Sequence, residues 1–266
     1  MKRREYQRRV QKRRFMLLGL LLILILVMGV VFSYCHGKNN QDSKTQEESL
    51  DQENSKVQEE SLNQEDSKTS ETEQEDMDLD PGMIFNTQKN ELGSYRGGTE
   101  GDQTGKEARI MNYPDYYVDS SYPWSFMLRC TDEKVRKQAV TNAIMAAEND
   151  HIGYDSGDLR MTLWDQVEAN NYDFSRITTD CSANCVTSAL IFYKAAGYQL
   201  GIEALQNIDI SIHVWDVNET LLKTGLFEEC DDSGYLHTSD HGLAGDLYVA
   251  ESRHVMMQVS DGKDPW

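Results

Sequence analysis

The longest apolar run lies near the start of the chain. From Phe15 to Cys35 no residue is charged, and Leu, Ile and Val dominate as far as Phe32. At about 1.5 Å of rise per residue these 21 positions span roughly 31 Å, the thickness of a bilayer's hydrocarbon core. Eight Lys/Arg stand between Lys2 and Arg14 and only Lys38 follows closely. The positive-inside rule therefore places residues 1–14 in the cytoplasm, a transmembrane helix at 15–35, and everything after Cys35 outside the cell. Two readings compete with this uncleaved signal-anchor. A cleaved signal peptide normally has a shorter apolar core, and no small-x-small site follows. Lipoprotein processing at Cys35 wants small residues where Phe32-Ser33-Tyr34 stand.

The pattern then turns polar. Gln46-Glu47-Glu48-Ser49-Leu50 recurs as Gln58-Glu59-Glu60-Ser61-Leu62, a period of 12 with one Leu per unit. So little apolar surface cannot offset the entropy of ordering, and no a/d seam exists for a coiled coil. Residues 36–107 are read as an acidic disordered stalk, with the Gly-containing stretch Leu92 to Gly105 extending it. Some 70 flexible residues give a root-mean-square span of roughly 45 Å.

Periodicity returns in residues 108–266, read as the globular domain. Val135, Val140, Ile144, Met145 and Ala147 recur at helical spacing and predict a helix over Asp132 to Ala147, with Thr131 as its cap. A second helix is predicted from Asp180 to Gly197, with Cys181 at or just before its first turn and Gly197 as its terminator. Val217 to Lys223 predicts a shorter one. Leu247 to Ala250 and Arg253 to Val259 read as two strands joined at Glu251-Ser252. Period two puts His254, Met256 and Gln258 on one face of the second strand, and Val255, Met257 and Val259 on the other. Helices followed by an antiparallel sheet make the fold class α+β.

Charge narrows the function. The chain carries 45 acidic and 26 basic residues, a formal net charge of −19. Residues 1–40 balance at +8, 41–80 at −12 and 81–266 at −15. A uniformly acidic outer part argues against a nucleic-acid partner, which needs a basic face to displace counterions. It also argues against purely electrostatic attachment to anionic wall polymers.

The candidate chemistry is a thiol. A helix N-terminus favours a thiolate, and a His is needed to hold or take its proton. Cys181 meets the first condition and His254, on its strand, the second; the backbone N–H of Ser182 is available for an oxyanion. From pattern alone, the reading of Cys181 as a small buried apolar side chain on an Ala- and Leu-rich helix outweighs the catalytic one.

The stretch Asp180-Cys181-Ser182, its apolar helix and its Ala-Ala-Gly ending resemble the nucleophile helix of the NlpC-type cell-wall cysteine peptidases and amidases. The Gly245-Asp246-Leu247 and Arg253-His254-Val255 strands resemble that family's second signature. Ala146-Ala147-Glu148-Asn149-Asp150-His151-Ile152-Gly153-Tyr154-Asp155 resembles the helix and Gly-Tyr turn of its phage-endolysin branch. The resemblance covers about 130 to the C-terminus. It implies a papain-like fold, N-terminal helices on a small antiparallel sheet, that hydrolyses an amide bond in peptidoglycan. Cys181 is then nucleophile and His254 base, with Tyr154, Asp180 and Ser182 at the substrate or oxyanion. The residue that orients the His normally lies on the following strand. The chain stops at Trp266 without one, which leaves Gln258, on the His254 face, as the candidate. The departure also supports the alternative of a catalytically degenerate domain that binds wall peptide or a partner protein.

The remaining signals are weaker. His237-Thr238-Ser239-Asp240-His241 has metal-ligand residue types in a polar stretch whose spacing holds nothing in register, so loop histidines are expected and no metal or other cofactor is assigned. Cys185, one turn from Cys181, is read as core; Cys130 and Cys230 are possible disulfide partners outside the membrane. His213-Val214-Trp215 fits core packing by default and a groove lining otherwise. The expectation is a single-pass membrane protein whose extracellular domain acts on peptidoglycan, with the oligomeric state and the bond cut left open.

Overall fold

A computed structural model describes residues 79–113, 123–251 and 253–265. The basic tail, the 15–35 apolar segment and the 12-residue repeats lie outside the described residues. Among the described residues no helix is long and apolar enough to cross a membrane.

The domain is α+β. Its strands are β1 (Ile84–Thr87), β2 (Ala108–Met111), β3 (Phe126–Cys130), β4 (Ile152–Tyr154), β5 (Cys181–Ala183), β6 (Phe227–Cys230), β7 (Leu247–Ala250) and β8 (His254–Gln258). Its helices are α1 (Glu133–Ala147), α2 (Thr162–Ala169), α3 (Cys185–Leu200), α4 (Glu203–Gln206), α5 (Val217–Leu222) and α6 (Ser233–Leu236). Six strands form an antiparallel sheet in the order β2-β1-β8-β7-β3-β6, while β4 and β5 pair in parallel as a separate ribbon. Among the described residues three strands precede the first helix, so the helices-then-sheet order expected from the sequence is corrected to an interleaved one.

The alternation read from the sequence sets the layers. On one side of the sheet Phe85, Leu128, Leu247, Val255 and Met257 pack with α1 and α3 into the main core. On the other side Ile84, Met127, Tyr248 and Met256 form a smaller cluster with Trp124 and Leu236. Arg129 crosses the sheet's polar seam to Asp246, both nearly fully buried, with its Nε and Nη2 at 2.9 and 2.6 Å from the carboxylate oxygens.

Three boundaries differ from expectation. Helix α1 is capped by Asp132, whose carboxylate accepts from Lys134 and Val135 N–H, because Thr131 turns its hydroxyl to Leu226 O instead. The second helix starts at Cys185, five residues later than expected, since residues 181–183 are committed to the ladder with β4 and Asn184 then caps through Thr187 N–H at 2.8 Å. The cap-type residues Asp180 and Asn184 both flank the apolar run; the strand pairing selects the second. Helix α3 also runs through Gly197 to a left-handed Gly201. Gly197 serves packing: a Cβ there would lie 2.5 Å from Leu205 Cβ on α4. Buried on almost every side, α3 is the central helix of the core.

The stalk boundary at 107 is likewise corrected. Residues 79–107 belong to the domain, and β1 lies inside the sheet, one strand from its edge, between β2 and β8. The polar loop after it is held by side-chain turns. Asp102 accepts from the N–H groups of Thr104, Lys106, Glu107 and Ala108, and Asn90 from Leu92 and Ser94. Such a loop needs few apolar residues to be ordered, which is why its composition reads as tether.

Candidate functional site

A cleft of about 740 Å³ opens where the N-terminus of α3, the start of β8 and the loop before β2 converge. Cys185 is the first residue of α3 and His254 the first of β8, and both line it. The N–H of Val255, next to His254, reaches the Cys185 thiol, as do the N–H groups of Val186 and Cys185 itself. Burial raises the thiol's pKa above its ordinary value and those three donors offset it only in part, so the resting group is the neutral thiol, whose proton a base must take.

His254 is 3% exposed, and burial pushes its pKa down to about 3, so its imidazole is neutral at ordinary pH. Its Nε2 lies 2.6 Å from Asn86 Oδ1. An amide oxygen only accepts, so Nε2 carries the hydrogen and Nδ1 keeps its lone pair. The orientation of the Asn86 amide is assigned by its nitrogen, which faces Met111 Sδ at 3.6 Å. Asn86 comes from β1, which pairs antiparallel with β8 so that Ile84 faces Gln258. Continuing that register puts Asn86 on the His254 side of the sheet. The Trp124 ring lies over the imidazole, 6.2 Å between centroids at 31°.

The residues singled out in the sequence distribute unevenly over this arrangement. Tyr154, at the end of β4, lines the cleft; burial raises its hydroxyl's pKa, and the neighbouring Cys185 adds to the rise. Cys181 is not at a helix start. It sits on β5, fully buried, with its Sγ 3.4 Å from His151 O and its pKa pushed up to about 12 by burial, with Glu100 and Asp180 adding to the rise. Asp180 points away to solvent and pairs with His151 Nδ1 at 2.7 Å. Ser182 N–H is taken by Thr162 Oγ1 at 2.9 Å, so it is no free oxyanion donor. Gln258 does not touch the imidazole: its amide nitrogen reaches the carbonyls of Ser239, Gly242 and Ser260, and its oxygen accepts from Tyr248. Four residues along a strand from His254, it braces the 239–242 loop.

Sequence reasoning missed Cys185 and Asn86. The Asn184 cap was the available signal for the first; for the second there was none, since only sheet pairing brings residue 86 to residue 254. His213 and Trp215 stack on each other at 4.7 Å and 29° on the cleft wall, with Trp215 54% exposed. The suggested Cys130–Cys230 disulfide is absent: the register pairs Cys130 with Phe227 and Cys230 with Met127, and both thiols are free. Among the described residues no three His, Cys, Asp or Glu side chains gather as a metal site.

Fold and cleft define an α+β domain with a thiol at the N-terminus of its central helix and an imidazole–amide pair beside it. The chain belongs to the endolysin-like domain family, whose family model matches residues 84–265, from β1 to the C-terminal segment. That membership points to a peptidoglycan-related hydrolase domain. No curated protein and no solved structure matches the chain.

Proposed function

We propose that the domain cleaves an amide bond of peptidoglycan by Cys–His nucleophilic catalysis, with Cys185 as nucleophile, His254 as base and Asn86 as the residue that orients the base. The observation that carries this reading is the 2.6 Å bond from His254 to Asn86, made by an imidazole that lines the same cleft as Cys185. As the sulfur attacks the scissile carbonyl carbon, Nδ1 of His254 takes the thiol proton. As the sulfur bonds to carbon it gives up the N–H of Cys185, which then donates to the tetrahedral oxyanion. The imidazolium then protonates the leaving amine, leaving a thioester. A water molecule loses a proton to Nδ1, attacks the thioester and releases a carboxylic acid and the free thiol. Throughout, Asn86 holds Nε2–H and keeps the imidazole from rotating.

This places the NlpC-type, papain-like reading on Cys185 rather than Cys181, and supplies the orienting residue from a strand that precedes the nucleophile in sequence. The apolar run Phe15 to Cys35 and its basic flank support a membrane-anchored protein acting outside the cell, confined by its tether to the inner zone of the wall. The test is digestion of purified peptidoglycan by the full chain in detergent micelles. Wild type and Cys181→Ala release the same muropeptides, and Cys185→Ala releases none; activity surviving in Cys185→Ala refutes the assignment.

The deep burial of both Cys185 and His254 favours a second reading, a domain that binds wall peptide without cutting it. Iodoacetamide separates the two. A catalytic Cys185 is alkylated at neutral pH faster than Cys130 or Cys181, whereas an inert one is not.

A further inference from the structure

The cleft is basic in an acidic protein. Acids outnumber bases 45 to 26 in the chain, yet Arg96, Arg160 and Arg253 line the cleft against Asp158 as its one carboxylate among the described lining residues. One of these cations is held by its guanidinium and another by the backbone that carries it. Arg96 is exposed, but the backbone on either side of it is tied down: Tyr95 O accepts from Ser156 N–H at 2.8 Å and Ser156 Oγ at 2.6 Å, and Gly97 N–H donates to the buried Asp155 carboxylate at 2.9 Å. Arg160 hangs its guanidinium on Ser211 O at 2.8 Å and Ile212 O at 3.4 Å, which leaves further N–H donors of its fork uncommitted. Among the described residues neither Arg96 nor Arg160 forms an ion pair.

We propose that Arg96 and Arg160 recognise a free carboxylate on the peptide whose amide bond lies against Cys185, so that the substrate is an acidic stem peptide and its carboxamide counterpart is rejected. The inference rests on the Cys185–His254 reading for the position of the amide. That position identifies the anion: a group held in the same cleft as the scissile amide belongs to the peptide itself, which makes it a carboxylate rather than a phosphate of a wall polymer. Guanidinium groups suit the planar oxygen pair of a carboxylate. The acidic remainder of the domain repels anionic polymers generally, so attraction is confined to the one place where a cut can follow.

The test uses the full chain carrying Cys185→Ala, titrated calorimetrically with two synthetic stem peptides identical except that one bears a carboxylate where the other bears a carboxamide. The acid form binds about 10- to 100-fold tighter, the range of a charge-assisted pair, and the preference shrinks at high salt. Arg96→Gln, at an exposed position that leaves the fold intact, cuts the preference several-fold, and Arg96→Lys restores part of it. Equal affinity for the two peptides, no binding of either, or a preference that survives in the double variant Arg96→Gln/Arg160→Gln overturns the proposal. The catalytic reading fails separately: wild-type chain that binds the acid form selectively but cleaves neither peptide refutes catalysis and leaves the carboxylate site standing. Wild type that cleaves both equally does the reverse.

Discussion

Replacing Asn86 by Ala is the sharpest perturbation of the proposed machinery. Asn86 and His254 are each 3% exposed, so no solvent stands ready to replace the lost partner. Removing the amide leaves the Nε2–H of His254 buried without its acceptor, a penalty of about 1–3 kcal/mol. The same loss frees the imidazole to rotate or to place its proton on Nδ1, where it blocks the thiol. If that whole penalty falls on the transition state, kcat drops about 10- to 100-fold, with KM little changed because no substrate contact is removed. Asn86→Asp keeps an acceptor at the same distance and adds a negative charge, which raises the imidazole's pKa; part of kcat returns and the acid limb of the pH profile moves upward. Gln258→Ala is the control. It strips a brace from three carbonyls and lowers Tm, yet the folded protein retains its kcat. The assay is muropeptide release from purified peptidoglycan alongside thermal denaturation. Asn86→Ala turning over at the wild-type rate, or Gln258→Ala losing kcat with Tm unchanged, refutes the assignment of the orienting role.

Three further outcomes follow from the packing. Because burial holds the His254 pKa at about 3, the unfolded chain binds a proton below about pH 6.5 that the folded one refuses; stability is full above that point and falls as pH drops toward 3, by up to about 5 kcal/mol. Urea midpoints followed from about pH 7 to pH 4 should show the decline, and His254→Gln should flatten it. Asp246→Asn leaves Arg129 as a buried cation without its counter-charge and should cost about 3–5 kcal/mol in denaturant unfolding. Gly153→Ala would put a Cβ 2.1 Å from Gly101 O, an overpacking cost of about 1–3 kcal/mol. A neutral Gly153→Ala would mean that the 90–105 loop is not seated on β4.

Strand and helix identities were largely legible where periodicity was clean. The alternation of His254 to Val259 gave both faces of β8 correctly, and α1 began within a residue of its expected start. Errors gathered where local signals were duplicated or weak. Asp180 and Asn184 both look like helix caps, and only the Cys181–Ile152 pairing consumes the first and shifts the helix start to Cys185. The loop from Asn90 to Glu107 resembles a tether in composition because its order comes from carboxylate and amide side chains gripping backbone N–H groups, which hydropathy does not register.

By itself, the sequence determined the α+β class, the acidic balance, an apolar segment long enough for a bilayer and the candidacy of His254, because each depends on composition or on a period carried within one segment. Which thiol meets that histidine, and which amide holds it, was decided by tertiary structure. Sheet pairing carries β1 across 168 residues of chain to lie beside β8, setting Asn86 against His254. A contact of that separation is written in the packing of both strands against α3 and in no local run of residues.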